Sequence, residues 1–320
     1  MITFDKLKIV AGINAIKVTD EACFESIMKN GVVSSLKYYQ EHPFLLMIKV
    51  DYKRMEVVIE FSGKVLGKDY PKLISKNTIK QCFQAIEALG LVEVNSAAMM
   101  EAKVVKCDVT KDVLFDDVTR GTNYVRSHIK SYHQFQCHKY RKGNAYLENN
   151  VESKKAKKRM TIYDKGKEMS QAANRPFVEK YGLENVFNGM CRFELNLKIE
   201  EQIRKSLRIA DNRLITVLAS TADPITDFLD EVVEPQDSIM MSDKKSYMTM
   251  LVLRDCEFDL EKVEAKMRTL YKSRGTSIRK VMEPYKAMME QIYFGQQGDN
   301  LWNEIRGKLT ECIKTSTVSL

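Results

Sequence analysis

The chain has 320 residues, of which 44% are hydrophobic and 29% are charged, and its formal net charge is +8. These proportions are typical of a soluble globular protein with one large domain or two ordinary ones. No stretch approaches the roughly 20 apolar residues that span a bilayer, and the first residues lack the basic and then apolar pattern of a secretory signal. We therefore expect a cytoplasmic protein without a membrane partner.

The first hundred residues predict strands and one helix. Alternating residues predict a strand over Lys6–Gly12 and a hairpin that turns near Asp51–Arg54. A helix is expected over Ser75–Leu89, followed by a buried strand over Ala102–Thr110. The buried face of that helix is predicted to carry Ile79, Phe83, Ile86 and Leu89.

The middle of the chain predicts further strands. One of them, Met160–Tyr163, is expected to pass into a helix near Asp164, where the helix dipole favours an acid. Cys191–Ile199 alternates as a strand, and residues 200–221 predict a helix. Because helices dominate from about Asp243 onward, the sequence predicts an α+β domain over 1–242 and a helical domain over 243–320.

Basic residues concentrate in one segment. Residues 139–168 contain ten lysines and arginines against four acids, which is six of the eight net positive charges. The densest part consists of Lys154, Lys155, Lys157, Lys158 and Arg159. This run fits either a solvated hairpin tip or a loop that contacts the phosphates of a nucleic acid.

Seven cysteines are scattered along the chain and never form a Cys-x-x-Cys pair. This pattern favours reduced thiols that pack as small apolar groups. Cys137 and His138 lie near His128 and His133, so zinc is an alternative for this segment. The spacing lacks the two paired ligand sets of a structural zinc site, and we expect none.

Three acids interrupt apolar strand patterns: Glu60 in VVIEFS, Asp108 in VVKCDVT and Glu194 in CRFELNL. Burying a carboxylate in a sheet without compensation is costly, so each acid needs a partner. One such partner is Mg²⁺ or Mn²⁺, which prefer hard oxygen ligands. Alternatively, each acid lies on the polar face of its strand or pairs with a nearby lysine or arginine.

Tyr163 ends a predicted strand, where a tyrosine usually packs half-buried. Its neighbours Asp164, Lys165 and Lys167 suggest chemistry instead. The phenol of tyrosine has an ordinary pKa of about 10, so it is a weak nucleophile at neutral pH unless other groups activate it. A metal ion on strand carboxylates can polarise a phosphate, and a lysine can hold a phosphate oxygen or lower the phenol's pKa. The residues alone leave both interpretations open.

Four segments together resemble a known family: VVIEFSGKVLG, VVKCDVT, RMTIYDKGKEM and CRFELNLKI. In order and spacing they are similar to the gene II-type replication initiators of filamentous phages and the related II/X-type replication proteins of phages and plasmids. The resemblance covers roughly half of the chain, and its strongest part is YDKGKE followed by RFEL.

The resemblance implies a fold and a reaction. The fold would be an antiparallel-sheet rolling-circle nuclease domain followed by a helical region. The enzyme would nick one DNA strand at an origin, remain joined to the 5′ phosphate through a tyrosine, leave a 3′ hydroxyl for synthesis and later religate the strand. The nucleophile falls on Tyr163 with Lys165 as its lysine, and the family's acids fall on Glu60, Asp108 and Glu194 as ligands of Mg²⁺ or Mn²⁺.

The partner implied is origin DNA, double-stranded and locally single-stranded, with a host helicase as a further candidate. Many rolling-circle nucleases bind metal through a His-hydrophobe-His motif, which this chain lacks. Two alternatives remain open. One is a non-catalytic origin-binding protein or repressor, and the other is a mobilisation relaxase with the same tyrosine chemistry.

Overall fold

The computed structural model describes residues 1–119, 122, 125, 135–139, 145–149, 158–233, 243–271 and 277–314. The strands in these parts are β1 (Phe4–Gly12), β2 (Ile16–Val18), β3 (Glu25–Lys29), β4 (Val32–Gln40), β5 (Leu46–Asp51), β6 (Glu56–Ser62), β7 (Val92–Val94), β8 (Lys103–Leu114), β9 (Phe135–Lys139), β10 (Ala145–Asn149), β11 (Arg159–Asp164) and β12 (Met190–Leu197). The α-helices are α1 (Ile79–Glu87), α2 (Ser96–Met100), α3 (Lys165–Met169), α4 (Arg175–Tyr181), α5 (Glu200–Leu207), α6 (Leu214–Leu218), α7 (Pro224–Val232), α8 (Lys244–Asp255), α9 (Leu260–Leu270) and α10 (Ile278–Lys314).

Ten of the described strands form one sheet in the spatial order β3-β4-β5-β6-β1-β8-β12-β11-β10-β9, and β2 pairs separately with β7. All neighbouring strands run antiparallel. Mixed helices and antiparallel sheet confirm the predicted α+β class. The sheet places β1, β8, β12 and β11 side by side, although long segments of chain separate them, and these four strands carry the site described below.

The central strands bury one face under helices. Leu7 on β1, Val109 on β8 and Phe193 on β12 are buried on this face. Helix α1 packs here by an edge contact between the Phe61 and Phe83 rings, whose centroids are 6.4 Å apart. Helices α5, α6 and α7 pack against β8, and α5 and α7 also pack against β12. Hydrophobic burial on this face therefore holds the sheet in place.

The opposite face of the same strands is polar. Because strand side chains alternate, the residues between the apolar ones project together from this face. Near the β11 end it is covered by a second apolar cluster, which belongs to the 3₁₀ segment Gly63–Lys72 with the following Leu73 and to the chain between β11 and β12. We call this cover the aromatic cap, and its buried members are Tyr70, Leu73, Met169, Phe177, Val178, Leu183 and Phe187.

Two helix predictions were wrong in detail. Leu89 was expected on a buried face, but α1 ends at Glu87, Gly90 adopts a φ of 73°, and Leu89 is exposed. Residues 200–221 were expected to form one helix, but α5 ends at Leu207 and Arg208 adopts a left-handed φ of 54°. The backbone of Asn212 then pairs with β8 through Val104, which competes successfully with helix formation.

The chain divides into two compact units, one formed by Met1–Val233 with Arg306–Leu320 and the other by Glu234–Ile305. In the second unit α8 begins after Asp243, whose side chain accepts a hydrogen bond from the Ser246 amide. The division into a catalytic domain over 1–242 and a helical domain over 243–320 stays a prediction. In the part of the chain described here, none of the helices is long and apolar enough to cross a membrane.

Candidate active site

Tyr163 and Glu194 are joined by a short hydrogen bond on the polar face. Tyr163 lies on β11 directly opposite Arg192 of β12, and Glu194 is two residues further along β12. The Tyr163 hydroxyl donates to Glu194 Oε1 at 2.6 Å. Tyr163 is only 9% exposed, because the aromatic cap lies nearby. The phenol is therefore held in one orientation by a carboxylate that can accept its proton.

Arg192 connects this pair to two further acids. Its guanidinium is 0% exposed and donates two hydrogen bonds to Asp112, at 2.7 and 2.6 Å. Nη1 also donates to Asp5 at 2.6 Å and to the Tyr70 hydroxyl at 2.8 Å. The same nitrogen lies 3.9 Å from Glu194 Oε1, beyond hydrogen-bond range. Asp112 and Asp5 thus take the direct hydrogen bonds of the arginine, and Glu194 receives only its longer-range field.

The pKa directions follow from this division. Burial would raise the pKa of Asp5, but Arg192 and Lys165 outweigh it and hold the pKa at about 2. Burial and the negative charge of Asp5 raise the pKa of Glu194 to about 7. Burial, and then the neighbouring Glu194 carboxylate, raise the pKa of Tyr163 well above its ordinary value. Glu194 is therefore the acid of this cluster that most readily accepts a proton.

Lys165 lies beside the phenol ring, enclosed by aromatic side chains. Its side chain is 2% exposed, and Nζ donates to Glu168 at 2.6 Å. The same nitrogen lies 5.7 Å from the centroid of the Tyr163 ring and 5.1 Å from that of Tyr70, distances typical of cation–π contacts. The lysine predicted to be catalytic is therefore beside Tyr163, but it lies against the ring and makes no hydrogen bond to the hydroxyl in the described contacts.

The local sequence explains why Lys165 turns inward. Asp164 ends β11 and caps α3 by accepting a hydrogen bond from the Lys167 amide at 2.9 Å, as the sequence predicted. A Cβ at Gly166 would lie 2.9 Å from the Phe187 carbonyl oxygen, so only glycine fits this close approach. Lys165 is consequently directed under the aromatic cap, whereas the Lys167 side chain is 69% exposed.

A polar chain holds the partner of Lys165. Asn174 donates to Glu168 Oε1 at 2.7 Å and accepts from Lys64 Nζ at 2.6 Å. Burial would raise the pKa of Glu168, but the charge and hydrogen bond of Lys165 outweigh it and lower the pKa. Glu168 therefore remains charged and fixes the position of the lysine.

Glu60 and Asp108, the other two predicted metal ligands, lie further along the same face. Glu60 accepts from Lys106 at 2.9 Å and pairs with Lys8 at 3.2 Å. Burial would raise its pKa, but these two lysines outweigh burial and lower it. Asp108 lies opposite Lys6, with a nitrogen–oxygen distance of 3.9 Å.

Among the described residues, Glu60, Asp108 and Glu194 each have a hydrogen-bond partner of their own. Asp108 accepts a hydrogen bond from Asn196, directly opposite on β12, and burial raises its pKa. Glu194 is bonded to Tyr163 instead. No group of three or more Asp, Glu, His or Cys side chains within the described ranges is placed to share a cation. The assignment of Glu60, Asp108 and Glu194 to a shared Mg²⁺ or Mn²⁺ stays a prediction.

Most of the predicted DNA-binding run falls outside the described residues, namely Lys154, Lys155 and Lys157. Lys158 and Arg159 are described: Lys158 directly precedes β11, and Arg159 is its first residue and lies opposite Asn196. The basic run therefore leads directly into the strand that carries Tyr163. His128 and His133 also lie outside the described residues.

Asp5, Tyr70, Asp112 and Arg192 were missed by sequence reasoning. Arg192 did leave a signal, since it is a charged residue between Cys191 and Phe193 in a strand that alternates as half-buried. Its separation from Glu194 by two residues also places both on one face. Tyr70 left no such signal, because its partners lie in distant segments.

Comparison with known proteins adds no relative. No protein-family model, curated protein or solved structure matches the chain. The four-segment resemblance therefore stays a resemblance, and the geometry of Tyr163, Glu194, Arg192 and Lys165 has to support any function.

Proposed function

We propose that this chain is a rolling-circle replication initiator that nicks one strand of origin DNA with Tyr163 as the nucleophile. Its sheet domain would then be of the rolling-circle nuclease type. The observation that carries the proposal is the 2.6 Å hydrogen bond from the Tyr163 hydroxyl to Glu194, next to two buried cations. A nucleophilic hydroxyl, an acceptor for its proton and nearby positive charge are what a phenol needs to attack a phosphodiester.

The reaction can be written with this chain's own residues. The Tyr163 oxygen attacks phosphorus and forms a phosphotyrosine bond to the 5′ side, while the bond from phosphorus to the 3′ oxygen breaks. Glu194 takes the phenol proton and returns it to the departing 3′ oxygen. Religation is the reverse, in which a 3′ hydroxyl displaces Tyr163. The phosphodiester energy is conserved in the covalent bond, so the closing step needs no ATP.

Two cationic side chains near Tyr163, Lys165 and Arg192, support the attack. Burial and the Glu194 carboxylate raise the pKa of Tyr163, Arg192 acts against them, and Lys165 adds a second positive charge 5.7 Å from the ring centroid. Arg192 is held by hydrogen bonds to Asp5 and Asp112, and it lies two residues before Glu194 on β12. Because both cations are buried, their interactions with a developing negative charge are weakly screened.

Mg²⁺ or Mn²⁺ is part of the proposal as an expectation from the resemblance. A bound divalent cation would supply charge neutralisation at the scissile phosphate. No step above is assigned to it, because Glu60 forms ion pairs with two lysines and Glu194 accepts a hydrogen bond from Tyr163. Origin DNA is the proposed partner, with phosphate contacts from the run Lys154–Arg159 and a host helicase as a further partner.

A non-catalytic origin-binding protein is the second candidate. The low exposure of Tyr163 and of Lys165, 9% and 2%, favours it, because a packing role also explains buried side chains. Such a protein would bind DNA through the same basic residues without needing the phenol oxygen. A mobilisation relaxase would share the tyrosine chemistry and would differ in its DNA target.

The test is a nicking assay on a supercoiled plasmid that carries the chain's own origin, with Mn²⁺ present. Wild-type protein should convert the plasmid to a nicked circle, Tyr163→Phe should bind without nicking, and Tyr39→Phe, at an exposed tyrosine, should nick normally. Equal nicking by Tyr163→Phe and wild type would refute the catalytic role. Nicking that persists in EDTA would refute the metal dependence only.

A further inference from the structure

The edge strand β3 is open on its outer side. In the part of the chain that the structure describes, β3 is the last strand of the sheet and pairs only with β4. All five of its residues are exposed, including Ile27 at 49% and Met28 at 58%. A strand edge with unpaired backbone groups and exposed apolar side chains is a template for another strand.

The hairpin formed by β3 and β4 fixes the backbone of this edge strand. Asn30 and Gly31 have positive φ values of 53° and 75°, and an Asn-Gly turn of this kind matches the twist of paired strands. The register shift between Ile27 and Met28 skips Ser34 on β4, so the extra residue belongs to the inner strand. The outer edge of β3 is therefore continuous and carries no bulge that would block pairing.

The sequence of β3, ESIMK, is complementary to itself in antiparallel pairing. When Ile27 lies opposite Ile27 of a second copy, Glu25 lies opposite Lys29 of that copy and Ser26 lies opposite Met28. Two Glu–Lys pairs then flank an apolar centre on one face. Lys37 lies opposite Glu25 on β4, but neither Glu25 nor Lys29 forms an ion pair at contact distance among the described residues, so both charged groups can pair with the second copy.

We propose that two copies of this chain associate through antiparallel pairing of their β3 strands, centred on Ile27 and fixed in register by Glu25 and Lys29. The two ten-stranded sheets then form one continuous sheet across a twofold axis. A five-residue strand buries little surface compared with the roughly 1,600 Å² of a standard interface. The dimer is therefore weak and depends on concentration.

Charge reversal tests the register directly. In Glu25→Lys the new lysine faces Lys29 of the second copy, and in Lys29→Glu two glutamates face each other, so each variant alone should associate at least about tenfold more weakly. An equimolar mixture of the two variants restores both opposite-charge pairs between unlike copies. Mixing should therefore recover wild-type association, which a general loss of fold or solubility cannot do.

The measurement is sedimentation equilibrium of the full chain from about 1 to about 300 micromolar, a range that covers weak association. Wild-type protein and the variant mixture should approach the dimer mass, and each variant alone should stay near the monomer. Lys53→Glu, which changes charge in the exposed turn after β5, should behave as wild type. A monomeric wild type over the whole range, or single variants that dimerise as well as wild type, would overturn the proposal.

Discussion

The polar face of the sheet has two regions with the same kinds of residues and different arrangements. Around Glu60, a carboxylate on β6 lies between Lys8 and Lys106, all partly exposed, and each charge meets its opposite. Around Tyr163, Arg192 is fully buried and donates to Asp5 and Asp112. The first region is a ladder of partly exposed ion pairs, and the second is a network around the buried Arg192 in which one acid, Glu194, bonds to a phenol instead of a cation.

This difference shows that the position of an acid within a strand pattern does not by itself predict the role of the acid. Glu60 and Glu194 both interrupt apolar patterns, yet their pKa shifts have opposite directions. At Glu60 burial is outweighed by two lysines and the pKa falls. At Glu194 burial and Asp5 prevail and the pKa rises. Burial and the identity of the partner decide whether the carboxylate is a neutralised surface group or a proton acceptor.

The largest expected effect separates the two glutamates by activity. Glu194→Gln keeps an acceptor for the Tyr163 hydroxyl but cannot take its proton, so the nicking rate should fall by about 100-fold or more. Glu60→Gln should change the rate by less than about threefold, since it alters a partly exposed ion pair. Both rates are measured on supercoiled origin plasmid. An equal loss in Glu60→Gln would contradict this contrast and support Glu60 as a metal ligand.

The second effect separates the two regions by stability. Arg192→Leu leaves the largely buried carboxylates of Asp5 and Asp112, 18% and 11% exposed, without the cation that binds both, and the free energy of unfolding should fall by about 3–5 kcal/mol. Lys106→Met removes one of two partly exposed partners of Glu60 and should cost less than about 1 kcal/mol. Urea unfolding of both variants measures the difference. Similar losses would mean that the Arg192 network is no tighter than the surface ladder.

A third and smaller effect compares two lysines of one segment. Lys165→Met keeps the length of the side chain under the aromatic cap but removes the positive charge 5.7 Å from the Tyr163 ring centroid, so nicking should fall by about tenfold. Lys167→Met changes an exposed side chain two residues away and should leave the rate unchanged. If both variants nick like wild type, Lys165 has no part in activating the phenol.

The smallest expected effect concerns binding alone. Neutralising Lys154, Lys155, Lys157 and Lys158 together should lower the dependence of log Kd on log salt by about 0.9 for each DNA phosphate that these lysines neutralise in the wild type. The nicking step on bound DNA should be unaffected, because these lysines precede the strand that carries Tyr163. A salt dependence equal to that of wild type would show that this run does not touch the DNA phosphates.

Local patterns predicted the elements that position the site, whereas its long-range contacts were not predictable. The strand predicted over Met160–Tyr163 and the helix start predicted near Asp164 follow from neighbouring residues and were confirmed, with β11 extending one residue further at each end. Arg192 binds Asp112 and Asp5, which lie 80 and 187 residues away, and no local pattern specifies those pairings. The fold of β strands into one sheet decides which distant acids meet the arginine.

Two other features illustrate the same limit. The hairpin of β3 and β4 carried a usable local signal, the Asn30-Gly31 turn between two strand-forming segments, although the sequence analysis did not use it. Burial of Lys165 had no such signal, since KGKEM is typical of an exposed helix start. It depends on the approach of Gly166 to Phe187, which only the folded chain provides.

In the proposed reaction the Tyr163 oxygen, held by Glu194, forms a covalent bond to DNA. The most direct measurement is to trap the nicked complex on origin plasmid with Mn²⁺, digest both protein and DNA, and locate the attached nucleotide by peptide mass spectrometry. We expect a 5′-phosphate nucleotide on the peptide that contains Tyr163, and none when Glu194→Gln is used under the same conditions and for the same time. Attachment to a different residue, or nicking with no attached nucleotide, would contradict it.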